Sequence, residues 1–376
     1  ETIQELLYDL KIDKDKLANA TEWLRIRESL RRQYQKFRKA ASRRSKYGLD
    51  RAMTAVATPY LNSFSEDLTM AAKYGYLAPC VARDKEIAEI FRIIEGGRQS
   101  VVLVGEPGVG KMSIVEGLAQ KMVEDDVPDS LKDKRLVQLS TSALLAGATV
   151  SGAQERLRRI MQEVARAKNI ILFIKNIHDL MVAEKSGGEG VDVSKTLTEY
   201  LGPGKFLTLA TAPTVNYNQE IVNSELGKVL ARVEVKEMTE NQAIQALESK
   251  AGTVEYKQKV FFSYDAIEQC VKLSGRFLHD QRLPESALAI MTETASFVHN
   301  QRGANQLVTG DDVGAIVSQK TGIPAANVSE AETDKLLRLE KTMHERVVGQ
   351  EEAVSLIANA LRRARVEIRS TKKPIA

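Results

Sequence analysis

One turn constrains this chain more than any other feature. Val101-Val102-Leu103-Val104 is an apolar run of buried-strand type, and it leads straight into Gly105-Glu106-Pro107-Gly108-Val109-Gly110-Lys111. From Lys111 through Met112 and Ser113 to Val123 the pattern is helical. A strand, a Gly-x4-Gly-Lys turn and a helix in that order are the context of a phosphate-binding loop. The glycines let backbone N–H groups converge on an anion, the helix N-terminus adds positive potential, and Lys111 reaches the terminal phosphates.

The rest of the chain alternates around that turn. Leu136-Val137-Gln138-Leu139, Ile170 to Ile174 and Phe206 to Ala210 read as further short strands. Ala153 to Ala167 reads as a helix with Leu157, Ile160, Met161 and Val164 on one face. This predicts an α/β P-loop module over 65–236, a three-layer fold whose mostly parallel sheet is covered on both sides. After about Glu237 the strand signals fade. Thr239 caps a helix through Val254, and others follow near Tyr264 to Ser274, Pro284 to Arg302 and Gly310 to Lys320, so 237–320 is expected to be a small all-helical domain. A linker over 321–346 opens at Thr321-Gly322-Ile323-Pro324. Residues 347–376, with a helix from Glu351 to Arg369, read as the start of a second module. Ahead of the α/β part, 1–64 is a helical segment containing a long helix from about Lys14 to Tyr47.

Charge narrows the function classes. The net charge is +4, yet Arg25 to Lys46 holds ten Lys/Arg against one acid, Glu28, which leaves the body of the protein mildly acidic. That argues against a general nucleic-acid surface. Tyr34 and Phe37 fall on the apolar stripe of the basic helix rather than between its charges, as base-stacking platforms would. The helix is read as a face for an acidic partner protein, with nucleic acid or anionic lipid as the competing reading. A charged content of 28% and hydrophobic content of 43% are those of an ordinary globular protein. No apolar run approaches the roughly 18 residues of a membrane span, and no secretory signal is visible. The chain starts at Glu1 rather than Met, which reads as a trimmed start. Cys80 and Cys270 have no CxxC or zinc spacing, so two reduced thiols in a cytoplasmic protein are expected.

The chemistry around the loop departs from what hydrolysis needs. The position after Lys111 should carry a hydroxyl for Mg²⁺, and it is Met112, whose thioether is a poor ligand for a hard cation. The strand Ile170 to Ile174 should end in two carboxylates, one for the metal and one to polarise the attacking water. It ends in Lys175 and Asn176. An ammonium reverses the charge at the metal position, and an amide cannot take a proton as a carboxylate can.

On Gly105 to Lys111, Ile114-Val115-Glu116-Gly117-Leu118-Ala119-Gln120, Ile171-Leu172-Phe173-Ile174 with His178 after it, and Thr321-Gly322-Ile323-Pro324, the chain resembles the Clp/AAA+ ring unfoldases over about Leu68 to Ala376. The resemblance is to their first nucleotide-binding module. Arg338-Leu339-Glu340 and Val347-Val348-Gly349-Gln350 are similar to the beginning of the second. It implies a hexameric ring of copies or related subunits, ATP or ADP between subunits, protein clients threaded through a pore, and a protease partner reached through the second module. It further implies nucleotide contacts at Val81, Ala82 and Ser113, and a γ-phosphate sensor at Thr211. The paired arginines offered to a neighbour fall at Lys228 and Val229, and a lid lysine at Ser286, so these roles are lost. The substrate-gripping aromatic corresponds to Val150, and the interval from Arg302 to Leu307 has no room for a coiled-coil middle domain. His178 suits a structural role as well as a catalytic one.

The expected function is therefore a module that holds nucleotide, is defective in hydrolysis and organises a ring. A divalent cation with one carboxylate leaves a single positive charge, which Lys175 carries alone, so one reading is that nucleotide binds without Mg²⁺; the other is that Lys175 turns to solvent or pairs with an acid and leaves the pocket empty. The alternatives are an active ATPase with unusual catalytic groups and a module that binds a partner through the basic helix.

Overall fold

The computed structural model describes residues 57–97, 100–147, 150–180, 193–201, 206–278 and 281–323, with positions 28, 35, 351 and 354–357. The long basic helix, the linker beyond residue 323 and most of the last helix lie outside the described residues.

The α/β part begins with α1 (Pro59–Ser63), β1 (Ser65–Asp67), α2 (Leu68–Lys73) and α3 (Asp84–Gly97). Next come β2 (Ser100–Val104), α4 (Lys111–Val123), β3 (Arg135–Leu139), α5 (Thr141–Leu145), α6 (Val150–Ala167) and β4 (Ile170–Ile174). After α7 (Val193–Leu201) and β5 (Thr208–Ala212), a single turn α8 (Thr214–Asn216) runs into a π-turn at Tyr217–Ile221. Then α9 (Glu225–Val229) leads to β6 (Leu230–Glu234).

The six strands lie in the order β1-β3-β4-β5-β2-β6, parallel throughout except for β1, which runs antiparallel to β3. The strand before the loop is thus flanked by β5 and β6, with Leu103 opposite Thr211 and Val102 opposite Arg232. Every residue of β2, β4 and β5 is buried, as strands covered on both faces require. Their side chains alternate between two cores. Val102, Val104, Leu172, Ile174 and Ala210 pack with Leu157, Ile160, Met161 and Val164 of α6. Val101, Leu103, Ile171, Phe173 and Leu209 pack with Ile87, Ile90 and Ile94 of α3 and with Ile114 and Leu118 of α4. Each Val, Leu, Ile, Phe or Met among them gains about 1.5–3 kcal/mol by leaving water, and together they hold the ends of β2, β4 and β5 in fixed register.

The following part is helical, as expected, with a small addition. Thr239 opens α10 (Glu240–Gln258) through a capping box with Gln242, and Lys259 ends it in a left-handed conformation at φ +54°. Then come β7 (Val260–Phe262), α11 (Tyr264–Phe277), α12 (Glu285–Arg302), β8 (Gln306–Val308) and α13 (Gly310–Thr321). β7 and β8 form a two-stranded parallel sheet that the sequence reading does not contain. Three residues are too short for a period of two to be visible. A third core, including Leu247, Ile267, Val271, Ile290, Val298 and Val313, joins these helices.

Candidate functional site: the glycine loop and what touches it

The loop is rooted between two strands. Gly105 N–H donates to Ala212 O of β5 at 3.3 Å, and Val235 N–H beyond β6 donates to Val104 O at 2.7 Å. A Cβ on Gly105 would stand 2.3 Å from Val235 O, so only glycine fits. Gly108 and Gly110 are left-handed, at φ +86° and +93°. Gly110 is the N-cap of α4 and brings no side chain to its first turn. Those N–H groups have no intrahelical partners, which is the arrangement that accepts an anion. Between them, the exposed crest at Pro107 and half-buried Glu106 and Gly108 separate the buried Gly105 and Val109. The residues present therefore suit a phosphate tail.

Lys111 lies folded over the loop, its Nζ donating to Gly105 O at 2.7 Å and to Glu106 O at 2.9 Å. Burial lowers its pKa, opposed by the nearby carboxylates of Glu106 and Glu285. Met112 turns away from this chemistry. Its side chain is partly buried against the core shared by α3 and α4. Ser113, next to it, is half-buried.

The end of β4 carries the other departures. Lys175 is exposed and Asn176 sits in the left-handed region at φ +52°, a conformation asparagine tolerates better than most residues. Asn176 N–H donates to Thr211 Oγ1 at 3.0 Å, and Ile177 N–H donates to Thr211 O at 2.9 Å. Buried Thr211 thus joins the end of β4 to β5, one strand from the loop, and its hydroxyl keeps a proton to donate. His178 Nε2 lies 3.3 Å from Asp179 Oδ1, while its Nδ1 is buried with no hydrogen-bond partner. A cation and a thioether at the two metal positions do not suit Mg²⁺.

Other expected positions are dispersed. Lys228 on α9 is exposed and pairs with Glu225 at 3.6 Å, and Val229 packs against the core on the α6 side of the sheet. Ser286 is fully buried at the start of α12, with its Oγ unpartnered. Val81 and Ala82 are half-buried ahead of α3, Ala82 at φ +59°. Val150 begins α6, and its side chain lies outside the described residues.

The contacts of Arg83, Glu237 and Glu285 escape the sequence reading. Arg83 is 3% exposed, and its Nη2 donates to Val109 O at 2.5 Å and to Lys236 O at 3.0 Å. Its Nη1 pairs with Glu86 Oε1 at 2.5 Å. Arg83 therefore ties the loop to the segment between β6 and α10. The neighbouring Glu237 accepts Leu283 N–H at 2.9 Å and faces Arg282 at 3.5 Å. From the start of α12 Glu285 reaches the crest of the loop, where a Cβ on Gly108 would stand 2.9 Å from its Oε2. No spacing signals these contacts; the one available hint was an acid directly after Pro284 at a helix start. Cys80 packs against α4, where a Cβ on Gly117 would lie 2.4 Å from its own Cβ. Burial above all, then Asp84, pushes its thiol up to about 12, so it is a packing group.

Residues 101–251 match the family described as ATPase family associated with various cellular activities (AAA), and residues 239–343 match the AAA lid domain. Chaperone protein ClpB of Oceanobacillus iheyensis is 31% identical over 397 residues, covering 89% of this chain and 49% of that protein. The ATP-dependent Clp protease ATP-binding subunit ClpC of Staphylococcus aureus is 32% identical over 381 residues, covering 85% and 46%. Among solved structures, an S. cerevisiae Hsp104-ADP complex matches with TM-score 0.76 and 31% identity, covering 84% of this chain and 54% of that one. Hsp104 with ATPyS and FITC casein, in a closed state, matches with TM-score 0.66 and 30% identity over the same shares. The chain spans about half the length of the curated relatives it matches.

Proposed function

Because the chain belongs to the Clp branch of the AAA ATPase family, we propose that it is the first nucleotide-holding module of a Clp-type unfoldase, one that keeps the phosphate cradle and lacks hydrolysis. The observation that carries this reading is the contrast between the two ends of the site. The glycine loop has its left-handed turns and its uncapped helix, while β4 ends in an exposed ammonium and an amide.

In this reading Lys111 exchanges the carbonyls of Gly105 and Glu106 for phosphate oxygens, the first turn of α4 donates its N–H groups, and Thr211 offers its hydroxyl proton. Asn176 cannot take a proton from water. Lys228 and Val229 give a neighbour no planar guanidinium fork. ATP or ADP is held without Mg²⁺, with Lys175 supplying the positive charge near the tail. The module then serves as a structural member of a ring of copies or related subunits that acts on protein clients, with a further module reaching any protease. The basic segment is assigned to an acidic partner protein. A cytoplasmic location belongs to the same reading; no described helix is long and apolar enough to cross a membrane.

The test is titration with fluorescent ATP and ADP in excess chelator, then with Mg²⁺, beside phosphate release. Saturable binding in chelator, lost in Lys111→Ala, with release at background, is the expected result. Turnover that Lys111→Ala abolishes would overturn the hydrolysis-defective reading, and binding that needs Mg²⁺ would overturn the metal-free part.

A further inference from the structure

The cradle is touched from the lid by a negative charge. Glu285 opens α12, and its Oε2 and Cβ would stand 2.9 and 3.1 Å from a Cβ placed on Gly108, with Arg282 O at 3.3 Å. This contact is held in place from the hinge: Glu237 accepts Leu283 N–H at 2.9 Å and pairs with Arg282 at 3.5 Å, which sets the segment just ahead of Glu285.

The cation that feels this charge is Lys111 of the loop itself. Glu285 is the acidic residue in the first turn of α12, and its neighbour Ser286 is neutral and buried. Arg282 is engaged with Glu237. Both Glu106 and Glu285 act on Lys111 through space. A phosphate tail entering the cradle thus meets two carboxylates beside Lys111, one of which arrives with the lid.

We propose that Glu285 is a charge gate on the nucleotide site: held on Gly108 by the Glu237 tether, its carboxylate opposes the phosphate tail, more strongly for ATP than for ADP, until the lid lifts it away. This rests on the nucleotide-holding reading above and adds to it which group sets the affinity and the preference between the two nucleotides. The lid's position and the occupancy of the cradle are then coupled through one carboxylate, because a bound tail favours the lid conformation in which Glu285 has left Gly108.

The experiment uses the full chain and titrates ATP and ADP in excess chelator with the unaltered protein, Glu285→Gln, Glu237→Ala and the double variant, with thermal melts to confirm folding. Removing one like charge at close range is expected to tighten ATP binding by about tenfold and ADP binding by about threefold at low salt. The gain should shrink at about 0.5 M salt, where charges are screened within a few ångströms. Glu237→Ala should reproduce most of it, and the double variant should add little to Glu285→Gln, since both changes remove the same contact. Binding by Glu285→Gln where the unaltered protein shows none supports the gate in its strongest form. Equal affinities for the unaltered protein and Glu285→Gln, or a gain unchanged by salt, would overturn the gate and leave the nucleotide reading standing. Absence of binding by every form would overturn both.

Discussion

Replacing Arg83 with methionine should cost this protein about 4 kcal/mol, a figure that follows from its three partners. The guanidinium is 3% exposed and donates to two main-chain carbonyls, Val109 O and Lys236 O, while its other arm pairs with Glu86. Methionine fills much of the same volume without a donor. Each carbonyl left without its charged donor costs about 1–3 kcal/mol, and breaking a buried ion pair by removing one partner costs about 3–5 kcal/mol. The ion-pair cost falls to about 1–2 kcal/mol here, because Glu86 is 16% exposed and recovers some hydration. At about 2–4 °C per kcal/mol for a domain of this size, the melting temperature should fall by about 10 °C. Urea unfolding followed by far-ultraviolet circular dichroism gives the free energy. Arg83→Lys should lose about half as much, since one ammonium keeps the charge for Glu86 but cannot fork between two carbonyls. Adding Glu86→Gln to Arg83→Met should return about 1–2 kcal/mol by removing the stranded carboxylate. An Arg83→Met protein within about 1 kcal/mol of the unaltered one would show that the loop-to-hinge tie carries no weight.

Two further outcomes test local features. Ala82 holds φ +59°, which costs a side-chain-bearing residue about 1–2 kcal/mol. Ala82→Gly should therefore raise stability by about 0.5–1 kcal/mol after the unfolded chain's added freedom is deducted, read as a higher urea midpoint. The Cys80 thiol, raised by burial to about 12 in the folded protein from 9.0, should resist alkylation at pH 8 until the protein unfolds. Because its folded pKa is the higher one, the stabilisation is complete below about pH 9 and falls away as pH climbs toward 12, where the unfolded chain sheds the proton first. Rapid labelling of folded protein at pH 8 would contradict this.

The parts of the fold that were legible in the sequence are those whose signals are local. α4 runs from Lys111 to Val123 and β4 from Ile170 to Ile174, as their patterns predict, and Thr239 caps α10 through its own side chain. β5 starts at Thr208 rather than Phe206, with Phe206 and Leu207 packed against the two cores just ahead of the strand. The strands β1, β7 and β8 have three residues each, too few for a period to register. The identities of Met112, Lys175 and Asn176 were readable, since each is a residue in a numbered place along a motif. What Met112 and Asn176 do instead was only half readable. Asparagine's tolerance of the left-handed region is a sequence property, but the turn that uses it and its bond to Thr211, 35 residues away, depend on two strands meeting. Arg83 was unreadable for the same reason. Its acceptors lie 26 and 153 residues away, and only the closed sheet brings them within reach of one guanidinium.

The margins of that sheet bear on how the module can associate. On one side stands β1, three residues long with Glu66 exposed; on the other stands β6, with Arg232 and Glu234 exposed. A strand arriving from another chain would have to cover those charges to pair with either margin. Any contact with another chain is thereby steered onto helices and loops rather than onto the strands that carry the ends of β2, β5 and β4.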